Sequence, residues 1–272
     1  MAASIAPTAD PAAPRRPLRT VLTGLGVVLT VVVLRQLAID TEVDVPKFLA
    51  YAPNMLRIGS GVFQPDLEVL PMLGKFARET IEIAVFGTFL GALLALPISF
   101  VAARNLMRRT APTTFIYVVV RTILSVLRTV PTLLWGLLFL VAAGPGPFAG
   151  VLAIAAFTVG LLAKLYSEAI ESIDWGQIEA VTAAGGSPLH VVRFGVVPQV
   201  FPFFIAHTLY GFEVNTHSAF VLGFIGAGGM GFIILEFIQQ FMYRATGTAL
   251  IVTAIMTLAI DYSSAWLRAR IL

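Results

Sequence analysis

The chain has no cysteine, which excludes disulfides, thiolate metal ligands and thiol catalysis. It has only three histidines, His190, His207 and His217, and they show no metal-ligand spacing. No Ser–Lys or paired-Asp arrangement stands out. A membrane-embedded enzyme would need clustered catalytic groups at membrane depth, so that class is disfavoured. Charged residues make up only 12% of the chain, against roughly a quarter in soluble domains. The pattern G-x-x-x-x-G-K-[ST] is absent, so the chain cannot cradle ATP phosphates by that route. Strand-type alternation is missing as well, which points to helices and away from a β-barrel. No strong internal repeat is visible, so a secondary transporter built on inverted repeats is the less attractive reading.

What is present is apolar sequence. Of 272 residues 58% are hydrophobic, and the mean hydropathy is +0.89. A spanning helix needs about 20 apolar residues, and the apolar runs here exceed what a soluble core absorbs. The expected fold is therefore an all-α integral membrane protein with about six crossings.

Residues 1–17, rich in Ala and Pro, read as a cytoplasmic tail. Residues 18–39 form the first span, an uncleaved anchor because no clean small-x-small site follows. Residues 40–75 carry Pro46, Pro53, Pro65 and Pro71 and read as an external loop, with a short interfacial helix around Lys47 to Arg57. The second span is placed at 76–103, where Gly87-x-x-x-Gly91 lets another helix approach and Pro97 introduces a kink. The third span is placed at about 113–143, longer than one straight crossing needs. It contains Arg121, Arg128 and Pro131, its first half reads as interfacial or tilted, and Gly144-Pro145-Gly146-Pro147 ends it. The fourth covers 148–173, the fifth 198–223 and the sixth 247–267.

Basic residues in short loops set orientation. Arg15, Arg16 and Arg19, then Arg104, Arg108 and Arg109, then His190 and Arg193, then Arg268 and Arg270 form the inner set. Both termini and the segment 174–198 are thereby placed in the cytoplasm of a multi-pass cell-membrane protein.

That segment is the most informative stretch. From Glu179 it reads E-A-V-T-A-A-G-G-S-P-L-H-V-V-R-F-G-V-V-P, ending at Pro198. It carries Glu179, Ser187, His190 and Arg193, so it cannot be lipid-exposed. A Glu-Ala helix, a Gly break and a Pro opening the next span make a rigid knob suited to a soluble partner. The spacing resembles the EAA loop of ABC-importer permeases, E-A-A, three residues, G, nine residues, I-x-L-P. Glu179, Ala180, Gly185 and Pro198 align without gaps. Val181 stands for the second Ala, Gly195 for the Ile and Val197 for the Leu.

Within the spans ionisable groups are costly and mark function by default. Glu213 and His217 are four apart and share a helix face, which allows an ion pair or hydrogen bond between them. Asn215 lies between them on another face. Their functional reading is a polar patch on a pore wall, and the alternative is a structural bond to a neighbouring helix. Arg121 and Arg128 are seven apart on roughly one face. Arg121 reads as snorkelling to the inner interface, whereas Arg128 stands beside the helix-breaking Pro131. Lys164 and Glu168 read as a helix-end salt bridge. Gly226 to Gly231 matches G-x-G-x-x-G literally. No strand precedes it and no βαβ unit exists, so the nucleotide reading fails and a flexible external break is expected instead.

The resemblance extends through Arg128-Thr129-Val130-Pro131, Gly144 to Gly150, Lys164 to Glu171, Phe212 to Asn215 and Val221 to Gly229. Together these are similar to the phosphonate-type ABC permeases over residues 76–272. The resemblance implies a type I importer fold, a second copy of the chain, two ATP-binding subunits and an external substrate-binding protein. It implies no cofactor in this chain, since ATP and Mg would be held by the partner ATPase. The cargo implied is phosphonate or a related phosphorus oxyanion such as phosphate or phosphite. A permease for methionine or an osmolyte is the alternative, and a structural scaffold is a third reading. Glu179, Ala180, Gly185 and Pro198 are the expected ATPase-coupling residues. Arg128, Glu213, Asn215 and His217 are the expected pathway residues. Neither catalytic nor metal-binding residues are expected, and no nucleic-acid partner.

Overall fold

The computed structural model of the chain describes residues 16–107 and 110–271. Residues 1–15 of the expected tail, together with Arg108 and Arg109, lie outside the described residues. Every regular element among those described is helical. Among the described residues six stretches are long and apolar enough to cross a membrane: Val21–Asp40, Leu67–Ala102, Ala111–Thr129, Pro147–Glu171, Val191–Ala227 and Tyr243–Ile271.

The chain divides into two units, residues 1–57 and 58–272. The first holds α1 (Arg16–Asp40) and most of α2 (Val45–Val62). α1 is the first span, and from Val21 its large side chains are exposed, as lipid contact requires. The region 40–75, expected as a loop with one short helix, is mostly helical. α2 runs for 18 residues with Pro53 inside it, and α3 starts at Leu70. Pro71 is tolerated there because the first helical N–H groups have no intrahelical acceptor to lose.

The second unit continues with α3 (Leu70–Ala102), the short α4 (Arg104–Met107), α5 (Ala111–Thr129), α6 (Thr132–Ala143) and α7 (Pro147–Glu171). Then come α8 (Trp175–Ala183), α9 (Pro188–His190), a wide π-type turn at Val191–Val196 and α10 (Val197–Leu222). A second π-type turn at Gly223–Ala227 leads to α11 (Gly229–Gln239) and α12 (Tyr243–Ile271).

The expected third span is two helices. α5 stops at Thr129, and Val130 and Pro131 are extended, with ψ of 118° and 144°. Pro131 has no N–H to continue the ladder, and its ring disfavours helical backbone at Val130. Pro97, by contrast, lies inside α3, which is assigned as one helix from Leu70 to Ala102.

α3 and α7 run parallel, face to face, and form the centre of the unit. A methyl on Gly87 would lie 2.5 Å from Ile154 Cγ2, and one on Gly91 would overlap Thr158. The small residues therefore allow the backbone approach that drives packing in lipid, where apolar burial alone gives little. α10 runs antiparallel to α7, with Gly211 against Leu162 and Gly150 against Ala227. Small side chains such as Ala84, Ala95, Ala153 and Ala163 share the core with larger ones such as Ile83, Ile154, Leu162 and Leu222, and large apolar side chains also cover the exposed faces of the spans.

Candidate functional site

Asp174 opens the segment 174–198, where the ATPase contact was expected. Its carboxylate accepts the Gly176 N–H at 2.8 Å and so caps α8, the preferred chemistry at that position. Glu179 and Ala180 are exposed on α8. At the other end Gly185 takes φ +80°, a left-handed conformation that glycine reaches without Cβ strain. The Gly185 N–H reaches Thr182 O at 3.0 Å and the Gly186 N–H reaches Val181 O at 3.0 Å. These bonds satisfy helix-end carbonyls and turn the chain sharply. Ser187 Oγ lies 2.9 Å from His190 Nδ1, which closes the turn before α9. Pro198 sits in the first turn of α10, where its missing N–H costs nothing.

The knob has its own apolar base. Ala103, Ile170, Ile173 and Val200 are buried together, with Leu106, Ile178, Val196 and Phe204 packed against them. Ile178 of α8 lies on Gly195: a methyl on Gly195 would meet the Ile178 Cα and Cγ1 at 3.5 Å. Two polar anchors hold the neighbouring span ends. Glu171 Oε1 accepts both Arg121 Nη1 and the Arg104 N–H at 2.7 Å. Arg121 also donates to Ala102 O at 3.2 Å. Arg121, expected to snorkel to the inner interface, ties α5 to the ends of α3 and α7. Lys164 and Glu168 are paired at 3.8 Å, as their spacing indicates.

The polar groups of α10 are arranged otherwise than their i,i+4 spacing suggested. Glu213 and His217 do not pair with each other. Glu213 accepts from Arg268 Nη1 at 2.6 Å, and His217 Nε2 lies 3.6 Å from Asp261 Oδ1. Both therefore face α12, because two residues one turn apart address the same neighbouring helix. Asn215, expected on a pathway wall, is fully buried inside the chain's own packing. Its Nδ2 donates to Thr88 Oγ1 at 2.8 Å and to Thr158 Oγ1 at 2.7 Å, joining α10 to α3 and α7. Arg128 is exposed in the last turn of α5. Sequence reasoning missed Thr88, Thr158, Asp261 and Arg268 as partners. Threonine gives no signal in an apolar helix, and Arg268 read simply as a terminal inner charge.

The glycine-rich stretch after α10 is clamped where a flexible break was expected. The Gly229 N–H reaches Glu79 Oε2 at 3.1 Å, and the Met230 N–H reaches Thr80 Oγ1 at 2.8 Å. Gly226 O accepts from the Gly146 N–H at 2.9 Å. Among the described residues no cluster of three or more His, Asp or Glu is placed to hold a metal ion.

Residues 87–271 match the family of binding-protein-dependent transport system inner membrane components. The putative phosphite transport system permease protein HtxC of Stutzerimonas stutzeri is 37% identical over 246 residues, covering 89% of this chain and 86% of that protein. The phosphate-import permease protein PhnE of Mycolicibacterium smegmatis is 36% identical over 208 residues, covering 76% of this chain and 38% of that longer protein. Among solved structures, the inward-facing MetNI methionine ABC transporter aligns with a TM-score of 0.65 at 20% identity, over 76% of this chain and 99% of that one. The family match and the fold define a multi-pass permease of the ABC-importer type. The chain belongs to the inner membrane components of binding-protein-dependent transport systems.

Proposed function

We propose that this chain is the membrane-crossing subunit of an ATP-driven importer of a phosphorus oxyanion: phosphite, phosphonate or phosphate. The observation that carries this reading is the 37% identity to a putative phosphite permease across 86% of its length. In the assembly proposed, two copies of the chain form the pathway, an external binding protein delivers the anion, and two ATP-binding subunits dock on residues 174–198. Both termini and that segment lie on the cytoplasmic side. Closure of the ATPases pushes on α8 through Glu179 and Ala180, with Gly185 and Pro198 fixing the knob's shape. The push moves the spans as rigid bodies between two access states.

Arg128 and His217 are the exposed candidates along the pathway. Glu213 lies one turn before His217 on α10 and is charge-balanced by Arg268, with Asn215 a packing residue. Selectivity would sit mainly in the binding protein, because tight holding within the pathway would stall release.

The test is reconstitution of the purified complex in liposomes with its ATPase and binding protein. Phosphite, methylphosphonate and phosphate are offered in turn, with methionine and choline as competing cargo classes. Uptake of a phosphorus oxyanion driven by ATP supports the reading. Uptake of methionine or choline alone overturns the cargo, and absence of any ATP-driven uptake overturns the importer assignment.

A further inference from the structure

We propose that Gln199 is the strut that transmits movement of the coupling helix to the α10 span, an inference that rests on the importer reading above. Gln199 stands in the first turn of α10 and makes three hydrogen bonds with one side chain. Its Oε1 accepts the Asp174 N–H at 2.7 Å. Its Nε2 donates to Asp174 O at 3.2 Å and to Gly195 O at 2.6 Å.

Both the donor and the acceptor of the Asp174 backbone are thus held by one amide, whose separate N–H and C=O groups engage the two at once. Asp174 is also the residue whose carboxylate caps α8. Any displacement of α8 at its N-terminus is therefore passed to Gln199 through two opposed bonds, so push and pull are both transmitted. The third bond goes to Gly195, in the wide turn Val191–Val196. Such turns interrupt the regular helix ladder and leave it locally weaker. Without a brace this turn would absorb the motion, because what else joins α8 to it is non-directional packing around Ile178. Gln199 bridges the weak turn and makes α8 and α10 one lever.

The alternative role is purely structural: Gln199 satisfies backbone groups and nothing depends on its stiffness. The two roles differ in the ratio of substrate moved to ATP hydrolysed. Gln199→Leu removes all three bonds at similar volume, and Gln199→Glu keeps the acceptor while losing both donors. In liposomes holding the full complex, Gln199→Leu is expected to bind its ATPase and hydrolyse ATP. Phosphite moved per ATP is expected to fall by about 5-fold or more, the lower end of ordinary coupling between sites. Gln199→Glu falls between Gln199→Leu and the unaltered chain.

A mechanical rescue separates the roles. The chain has no cysteine of its own, so an introduced pair is the only thiol pair within it. The Ile178 Cα lies 3.5 Å from where a Cβ on Gly195 would sit, within reach of a disulfide. Ile178→Cys with Gly195→Cys is added to Gln199→Leu, or to Gln199→Glu if the leucine variant does not accumulate in membranes. Oxidation is expected to restore the ratio and reduction to abolish the restoration. An unchanged ratio in Gln199→Leu, or a defect that oxidation leaves in place, overturns the strut. Failure of the unaltered complex to couple ATP to uptake instead overturns the importer reading, so the two failures are distinct.

Discussion

Asn215 Nδ2 lies 2.7 Å from Thr158 Oγ1 and 2.8 Å from Thr88 Oγ1, so one side chain of α10 joins the two parallel helices at the centre of the unit. Interhelical hydrogen bonds in a bilayer average about 0.6 kcal/mol and reach about 1–2 kcal/mol. Asn215→Ala is expected to cost about 1–2 kcal/mol on that scale. Asn215→Asp should cost more, since it places a carboxylate in a fully buried site with no cation beside it. Half-life of the folded state at elevated temperature in detergent measures both. An alanine variant as long-lived as the parent would show that the junction contributes nothing.

The close approach of α3 and α7 gives a second prediction, with a control in the same helix. A methyl on Gly91 overlaps Thr158, whereas nothing lies within 4 Å of a methyl on Gly74. Gly91→Ala is expected to destabilise by about 1–3 kcal/mol, the usual range for overpacking. Gly74→Ala should be neutral or slightly stabilising, because alanine is the better helix former. The same thermal half-life assay separates the two, and equal values would show that α3 and α7 do not pack as described.

The pairing of Glu213 with Arg268 predicts a charge-swap rescue. Both side chains are about a quarter exposed, at 25% and 24%, so the pair is partly desolvated. Arg268→Ala leaves the carboxylate unpartnered. Its cost should lie below the 3–5 kcal/mol of a fully buried pair, at about 1–3 kcal/mol. Glu213→Arg combined with Arg268→Glu should recover most of that loss in folded yield from membranes. A double variant no better than either single one would mean the two residues do not interact.

Hydropathy made the crossings legible, because each span is a long apolar run and its lateral neighbours are lipid. The shape of the segment 174–198 was legible from Glu179, Gly185 and Pro198, since a short helix, a glycine break and a span-opening proline each have a local signature, whereas the Asp174 cap was not read. What was not legible is long-range pairing. Glu213 and His217 invite an i,i+4 reading, but their partners Arg268 and Asp261 lie on α12, and no local pattern announces that contact. Pro131 marked a weak point in the third span, but apolar sequence on both sides of it left 113–143 reading as one element rather than as α5 and α6. In the 45–75 region four prolines argued for a loop. Pro71 falls in a helix's first turn, however, and Pro53 is carried inside α2.

The knob itself carries the last prediction, which separates its shape from its contact surface. Gly185 holds φ +80°, and a Cβ there would meet nothing within 4 Å, so the only obstacle to substitution is backbone strain. Left-handed backbone costs an ordinary residue about 1–2 kcal/mol and is milder for Asn. Gly185→Ala should therefore distort the turn after α8, while Gly185→Asn should preserve it. Glu179→Ala leaves the backbone intact and removes only an exposed carboxylate. If the ATPase reads the knob's shape, Gly185→Ala lowers ATPase co-purification and ATP-driven uptake together, and Gly185→Asn stays near the parent. If it reads the carboxylate, Glu179→Ala loses uptake with the fold unchanged. Co-purification and uptake measured side by side on the three variants decide between shape and charge. Parental values in all three would remove residues 179–185 from the coupling surface.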